Sequence, residues 1–189
     1  MNEINFYLSS VIFLQLVIIF FLARYIFLLK EKMKRDPLTG LLNRRALNNA
    51  LEEKSGKFAF LMLDVDHFKT INDRMGHSVG DSVLKGVANR ISGSIRPHDL
   101  SFRYGGEEFA VIISAVDKEG AEEAACRLQD KLRKPYRIKD VDDQTLDVRV
   151  SMGLTVAKED DSPERIIKRA DRALYRAKET GRDRLEIEY

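Results

Sequence analysis

The sequence predicts an α+β domain over residues 36–189, preceded by one apolar helix within residues 1–35. Three observations carry this. First, the chain is almost wholly apolar from Ile4 to Leu29. Second, the near-continuous apolar run Phe58-Ala59-Phe60-Leu61-Met62-Leu63 reads as a strand covered on both faces and leads straight into Asp64-Val65-Asp66. Third, two more strand patterns flank Gly105-Gly106-Glu107-Glu108: Leu100, Phe102 and Tyr104 at alternate positions before it, and Phe109-Ala110-Val111-Ile112-Ile113 after it. That is the pattern of a β-hairpin with a tight turn. On this stretch alone, the acids at the hairpin tip are open to two readings, solvated surface or functional pair.

Within the amino-terminal run only Ser9, Ser10, Gln15 and Arg24 interrupt the apolar pattern. At about 1.5 Å per residue, such a helix spans the roughly 30 Å hydrocarbon core of a bilayer. The run is too long for a signal-peptide core, and no basic region precedes it. It is therefore expected to be a retained single-pass anchor, against the alternative of a buried hairpin or core helix. Arg24 is placed to snorkel to the interface. Lys30, Lys32, Lys34 and Arg35 follow at once, so the positive-inside rule puts everything after Lys30 in the cytoplasm.

Composition narrows the partners. A formal net charge of +2 leaves no basic footprint for long nucleic acid, although a small anionic nucleotide needs only a local site. The single cysteine, Cys126, cannot form an internal disulfide, which fits a reducing compartment. Its setting among Ala124, Ala125 and Leu128 predicts packing in the core.

The remaining elements follow in order. Asp36-Pro37-Leu38-Thr39-Gly40 ends the first helix, because proline stops propagation. Asn43 is a plausible N-cap for a helix over Arg44–Glu53, and Gly56 breaks it. At the end of the central strand, Asp64 and Asp66 lie two residues apart and so point the same way. Two like charges that close raise the proton affinity of one unless a cation sits between them, and hard oxygen ligands suit Mg²⁺. A solvated loop start accounts for the acids equally well at this stage. His67 to Asp73 reads as a short helix whose first amides form a phosphate site, with Lys69 adding positive charge. Asp81 is expected to cap a helix that runs to about Ile95. His67, His77 and His98 show no metal-ligand spacing. Glu107 and Glu108, neighbours in extended chain, should face opposite sides, so only one can join Asp64 and Asp66. Further helices are expected over Glu119–Leu132 and from Ser162-Pro163-Glu164 to Gly181. A strand is expected from Leu146 to Val156, and a last one at Leu185–Ile187.

From Asp36 to about Glu186 the chain resembles the GGDEF family of diguanylate cyclases, here in the GGEEF form Gly105-Gly106-Glu107-Glu108-Phe109. The likeness extends to Asp36-Pro37-Leu38-Thr39-Gly40-Leu41-Leu42-Asn43-Arg44-Arg45, Asp64-Val65-Asp66-His67-Phe68-Lys69, Ile71-Asn72-Asp73, Gly76-His77, Gly80-Asp81, Ala170-Asp171, Tyr175, Ala177-Lys178 and Gly181-Arg182, with order and spacing kept. The resemblance implies a palm-like, mostly antiparallel sheet flanked by helices, related to the ferredoxin-like arrangement and to nucleotide cyclases. It implies condensation of two GTP into cyclic di-GMP with release of two pyrophosphates, one GTP per protomer, so that a working site needs a homodimer. Carried over by position, Asp64 and Glu107 would be the carboxylate ligands of Mg²⁺ (or Mn²⁺), assisted by the Val65 carbonyl, with Asp66 a supporting or second-metal acid. Glu108 would stabilise the site or help take the proton from the attacking 3′ hydroxyl. Asn72 and Asp81 would read guanine, which displaces the cap role for Asp81. Lys69, Lys178 and Arg182, with the amides of His67 and Phe68, would hold phosphates. Arg96-Pro97-His98-Asp99 is similar to the family's RxxD site, where Arg96 and Asp99 would bind product and inhibit.

The expectation is thus a cyclase held at the inner (cytoplasmic) membrane, its catalytic domain in the cytoplasm and its helix bringing two protomers together. Three other readings stay open on the sequence: a silent relative that binds GTP or cyclic di-GMP, a cyclase making a mixed GMP–AMP product, and a membrane protein with no ligand.

Overall fold

The structure, a computed structural model, describes residues 12–26, 33–54, 56–114, 117–138 and 144–189. The chain divides into two units, Met1–Arg35 and Asp36–Tyr189.

In the first unit, residues 12–26 form helix α1, with Phe13, Leu14, Ile19, Phe20 and Phe21 exposed. The rest of the predicted membrane span lies outside the described residues. Among the described residues no helix is long and apolar enough to cross a membrane: the rise of α1 is about 22 Å, short of the roughly 30 Å required.

The second unit holds a six-stranded sheet in the order β1-β3-β4-β2-β7-β8. The strands are β1 (Leu42–Asn43), β2 (Phe58–Val65), β3 (Leu100–Arg103), β4 (Glu108–Ser114), β7 (Val150–Val156) and β8 (Leu185–Ile187). A separate two-stranded ribbon pairs β5 (Tyr136–Ile138) with β6 (Gln144–Leu146). Around the sheet lie α2 (Arg44–Glu53), α3 (Phe68–Met75), α4 (His77–Ser92), α5 (Lys118–Leu132) and α6 (Pro163–Glu179).

Strand β2 sits between β4 and β7, antiparallel to both, and every one of its residues is buried. One of its faces, Ala59, Leu61, Leu63 and Val65, packs with Val83, Leu84 and Val87 of α4 and with Ala121, Ala125 and Leu128 of α5. The other, Phe58, Phe60 and Met62, packs with Leu47 and Leu51 of α2 and with Ile166, Ala170 and Leu174 of α6. Helix α6 lies directly on the backbone of β7. A Cβ at Gly153 would stand 2.3 Å from both the Ala170 carbonyl oxygen and the Leu174 nitrogen, so only glycine lets helix and strand come this close.

Side-chain caps start three of the five helices around the sheet. Asn43 Oδ1 accepts from the Ala46 amide at 3.0 Å, Asp117 Oδ1 from Gly120 at 2.9 Å, and Ser162 Oγ from Arg165 at 3.4 Å, with Pro163 in the first turn.

Four expectations need correction. The sheet is mixed, because β1 runs parallel to β3 and β7 parallel to β8 at its two edges. Helix α4 starts at His77 and ends at Ser92, so Asp81 lies inside it and caps nothing. Gly76, at φ 85°, separates α3 from α4, and Val79 joins Val83 on the buried face one turn on. The strand foreseen from Leu146 to Val156 is two strands, β6 and β7, separated by residues 147–149. Finally, Cys126 is exposed. The buried stripe of α5 runs through Ala121, Ala125, Leu128 and Leu132, and Cys126 lies about 100° around the helix from Ala125.

Candidate active site

The hairpin between β3 and β4 is in register from Leu100↔Ile112 to Arg103↔Phe109. Its tip closes when the Tyr104 and Gly105 amides both donate to the Glu108 carbonyl, at 2.8 and 3.2 Å. Arg103 braces the tip. Its Nε and Nη2 donate to the Gly106 carbonyl at 3.2 and 2.8 Å, and its Nη1 donates to both carboxylate oxygens of Asp36 at 3.1 Å. Asp36 in turn accepts from the Thr39 amide and hydroxyl at 2.8 and 2.7 Å. Burial alone would raise the Asp36 carboxyl, but the bonds from Thr39 and Arg103 hold it below its usual range. The Asp36-Pro37-Leu38-Thr39 turn is therefore the hairpin's mooring. No local signal in the sequence pairs Asp36 with Arg103.

Asp64 is buried near the end of β2, opposite Glu108 on β4 and Ser151 on β7. Residues opposite one another in a ladder share a face of the sheet, so Glu108 lies on the face of Asp64. Glu107, one residue earlier at the tip, accepts the Val65 amide on its carbonyl at 3.2 Å. The charge of Asp64 bears on both glutamates. Each has its carboxyl pushed up first by burial and then by Asp64. As expected, only one of the pair, Glu107, joins Asp64 and Asp66 in lining a cleft; Glu108, opposite Asp64 in the ladder, lines a neighbouring cavity with Asp171, Tyr175 and Lys178. From α6, Lys178 Nζ lies 2.8 Å from Asp64 Oδ2. Burial still raises the Asp64 carboxyl against that ammonium, and Asp66 adds to the rise.

Asp66 is buried and tied into the framework. Its Oδ1 accepts the Ser151 hydroxyl at 2.7 Å, and its Oδ2 accepts the Asp183 amide at 3.0 Å.

Apart from Glu108, these groups meet at a cleft of about 230 Å³. Asp64, Val65, Asp66 and Glu107 line one part of it, His67, Phe68 and Lys69 another, and Lys178 and Arg182 a third. His67 has φ 57°, so the chain turns sharply from β2 into α3. The first amides of a helix have no carbonyl within it to bond; in α3 those of Phe68 and Lys69 belong to residues that line the cleft, while those of Thr70 and Ile71 donate to the His67 carbonyl. Every residue expected to hold metal or phosphate is therefore brought together.

Asn72 and Asp81 are not among the residues lining this cleft. They lie at the junction of α3 and α4. A Cβ on Gly80 would stand 1.9 Å from Asn72 Oδ1 and 3.2 Å from the Phe68 ring. Asn72 Oδ1 is buried and has no hydrogen-bond partner among the described residues. Asp81, the next residue after Gly80, is exposed. Because Phe68 and Asn72 are one turn apart on α3, the helix leads from the cleft to the pair.

Arg96 and Asp99 stand apart from all of this, near the end of β3 and β4 away from the tip. Asp99 accepts the Arg96 amide on Oδ2 and the Ser114 amide on Oδ1, both at 2.9 Å. Arg96 is exposed and Asp99 is buried. The main contacts of Asp99 are thus structural, capping the turn that enters β3.

The family model for the diguanylate cyclase GGDEF domain matches residues 33–184. The chain belongs to the diguanylate cyclase GGDEF-domain family. It is 40% identical over 166 residues to the diguanylate cyclase DgcP of Pseudomonas aeruginosa, a match covering 84% of this chain and 24% of that protein. It is 39% identical over 170 residues to the probable diguanylate cyclase DgcT of Escherichia coli, covering 84% of this chain and 36% of that protein. This chain therefore spans well under half the length of either relative. The crystal structure of the GGDEF domain of DgcB from Caulobacter crescentus, in complex with c-di-GMP, matches with a TM-score of 0.75 at 31% identity, over 82% of this chain and 95% of that one.

Among the described residues no group of three or more His, Cys, Asp or Glu side chains comes together as a metal cage. The donors still suit a cation that arrives with a nucleotide. Mg²⁺ typically takes one or two carboxylates and completes its shell with phosphate oxygens and water. Asp64 and Glu107, with Val65 between strand end and hairpin, supply oxygens of that kind. Burial is the main cause that raises both carboxyls, with Asp66 adding to the rise at Asp64 and Asp64 to the rise at Glu107.

Proposed function

We propose that the domain is a diguanylate cyclase, joining two GTP into cyclic di-GMP with release of two pyrophosphates. The observation that carries the reading is the cleft that Asp64, Val65 and Glu107 share with the cationic side chains of Lys69, Lys178 and Arg182. In each of two equivalent steps, a 3′ oxygen of one GTP bonds to the α-phosphorus of the other. The bond to pyrophosphate breaks, and the hydroxyl proton passes to a base.

Each protein group then has a task. Lys69, Lys178, Arg182 and the first amides of α3 bind the triphosphate and hold it for in-line attack. Asp64 and Glu107, with the Val65 carbonyl, would hold Mg²⁺ or Mn²⁺. When bound, the cation supplies neutralisation of charge on the phosphoryl oxygens. Asp66 fixes the loop that carries Arg182. Glu108, with its raised proton affinity, is suited to take the hydroxyl proton. Asn72 and Asp81 read guanine: an aspartate accepts from the guanine N1–H and N2–H₂ donors, a pair adenine lacks.

The two nucleotides are identical and each chain offers one cleft, so the working form is a homodimer with two clefts facing each other. The apolar side chains exposed on α1, followed by the basic residues from Lys30 to Arg35, support a membrane anchor that also pairs protomers. On this reading the basic residues after the apolar run keep the catalytic domain on the cytoplasmic face. Arg96, exposed at the entry to β3, is free to bind a phosphate of the product, with Asp99 holding the turn.

Incubating the purified protein with GTP and Mg²⁺ and analysing the products by mass spectrometry tests the reading. Cyclic di-GMP is expected. A nucleotide-binding protein that leaves GTP intact would instead be a receptor.

A further inference from the structure

Three consecutive residues after α6 have positive φ: Gly181 at 119°, Arg182 at 61° and Asp183 at 46°. The glycine is an ordinary helix terminator. The Arg182 amide donates to the Ala177 carbonyl at 2.9 Å, the bond that closes such an end. The two residues after it are unusual. L-residues enter the left-handed region singly, at about 1–2 kcal/mol each, and aspartate tolerates it better than arginine.

Contacts from outside the loop hold the pair in place. The Asp183 amide donates to Asp66 Oδ2 at 3.0 Å. Arg133, the C-cap residue of α5, takes hold of Asp183 twice: Nε donates to the carboxylate at 3.0 Å, and Nη2 to the main-chain carbonyl at 2.6 Å. Arg149 reaches the other carboxylate oxygen at 3.5 Å. A partly exposed ion pair alone is worth little, but here one planar guanidinium fixes side chain and backbone of the same strained residue. The two residues this loop governs are functional. Arg182 lines the cleft, and its Nε lies 4.0 Å from Asp66 Oδ1. Asp66 lines the same cleft.

We propose that Arg133 and Asp183 are positioning residues, a latch from the end of α5 that holds the left-handed turn and so aims Arg182 at the nucleotide's triphosphate. The identity of the ligand rests on the cyclase reading. The latch itself touches no substrate. Its effect is confined to the phosphate end, because the guanine-reading residues belong to α3 and α4.

The test measures equilibrium binding of 3′-deoxy-GTP, which lacks the attacking hydroxyl and cannot turn over, and of guanosine, which has no phosphates. Arg133→Ala should weaken 3′-deoxy-GTP binding about tenfold while guanosine binding stays within about twofold. Asp183→Gly accepts the positive φ but drops the carboxylate. It keeps the main-chain contact from Arg133, so its loss should not exceed that of Arg133→Ala, and the double variant should be no worse than Arg133→Ala. Arg133→Lys, which can keep one contact but not both, should fall between wild type and Arg133→Ala. Because Arg133 is a surface residue, its variants remain informative if Asp183→Gly fails to fold. Unchanged 3′-deoxy-GTP binding by Arg133→Ala, or equal loss of both ligands, overturns the latch. A folded wild-type protein that binds no 3′-deoxy-GTP overturns the cyclase reading and the latch with it.

Discussion

Lys178 Nζ lies 2.8 Å from Asp64 Oδ2, so the carboxylate that ends the central strand is met by an ammonium from α6. The pair joins the two halves of the proposed chemistry, because Asp64 is read as a metal ligand and Lys178 as a phosphate ligand. In the nucleotide-free protein each neutralises the other.

Removing either partner should therefore have two effects. Lys178→Ala leaves a buried carboxylate uncompensated and should lower stability by about 1–2 kcal/mol, less than a fully buried pair would cost because Lys178 is partly exposed. It should also reduce turnover at least about a hundredfold through loss of a preorganised charge. Asp64→Asn should abolish turnover. Denaturant titration and initial rates measured on the same preparations check both effects.

The paired acids make the free protein's stability depend on pH. Burial and Asp64 raise the Glu107 and Glu108 carboxyls in the folded state. A carboxyl that binds its proton more tightly when folded stabilises the fold while protonated. That contribution is complete below the ordinary glutamate range and is lost as pH rises through the raised folded values. Glu107→Gln or Glu108→Gln should remove the loss, raising the nucleotide-free Tm at neutral pH by about a degree or two while reducing turnover by about 10²–10⁴. Thermal melts across pH check this; identical pH profiles for wild type and variants would contradict it.

Gly80 is the close approach that leaves Asn72 its place. Gly80→Ala puts a methyl group against Asn72 Oδ1 and the Phe68 ring, an overpacking that should cost about 1–3 kcal/mol. Since the displaced group is a proposed guanine reader, KM for GTP should rise more than kcat falls. Steady-state kinetics separates the two parameters.

The inhibitory reading is tested at Arg96 rather than at Asp99. Asp99 holds the Arg96 and Ser114 amides, so its removal disturbs the hairpin as well as any ligand. Arg96→Ala keeps those bonds. It should straighten a progress curve that slows as product accumulates in the wild type; an unaltered curve counts against a product site there.

What could be read from the sequence was local. The unbroken apolar run of β2, the Asn43 cap, Pro163 in the first turn of α6, the Gly-Gly hairpin and the Gly181 terminator each depend on neighbours a few residues away, and each reappears in the structure. The residues expected to hold phosphate and metal could be named because strand end, α3 and α6 all carry recognisable motifs, and they line one cleft. What escaped depended on long-range pairing. The two-residue strand β1 is too short to leave a pattern, and its parallel pairing with β3 has no local cause. Glu108 shares a face with Asp64 through the register between β2 and β4, which alternation within either strand does not set. Arg103 reaches Asp36 across 67 residues, and Asp183 reaches Asp66 across 117. Cys126 was misplaced because its small neighbours resembled a buried stripe, while the true stripe passes through Ala125 and Leu128.

The carboxylate cleft at the hairpin tip is proposed to carry out GTP condensation. The most direct measurement is product stoichiometry: GTP consumed, pyrophosphate released and cyclic dinucleotide formed by the wild type and by Glu107→Ala, both confirmed folded, with Mg²⁺ present. One cyclic di-GMP and two pyrophosphates are expected for every two GTP from the wild type, and no product from Glu107→Ala. A folded, dimeric wild type that forms no cyclic dinucleotide, or a Glu107→Ala variant that forms it undiminished, would contradict it.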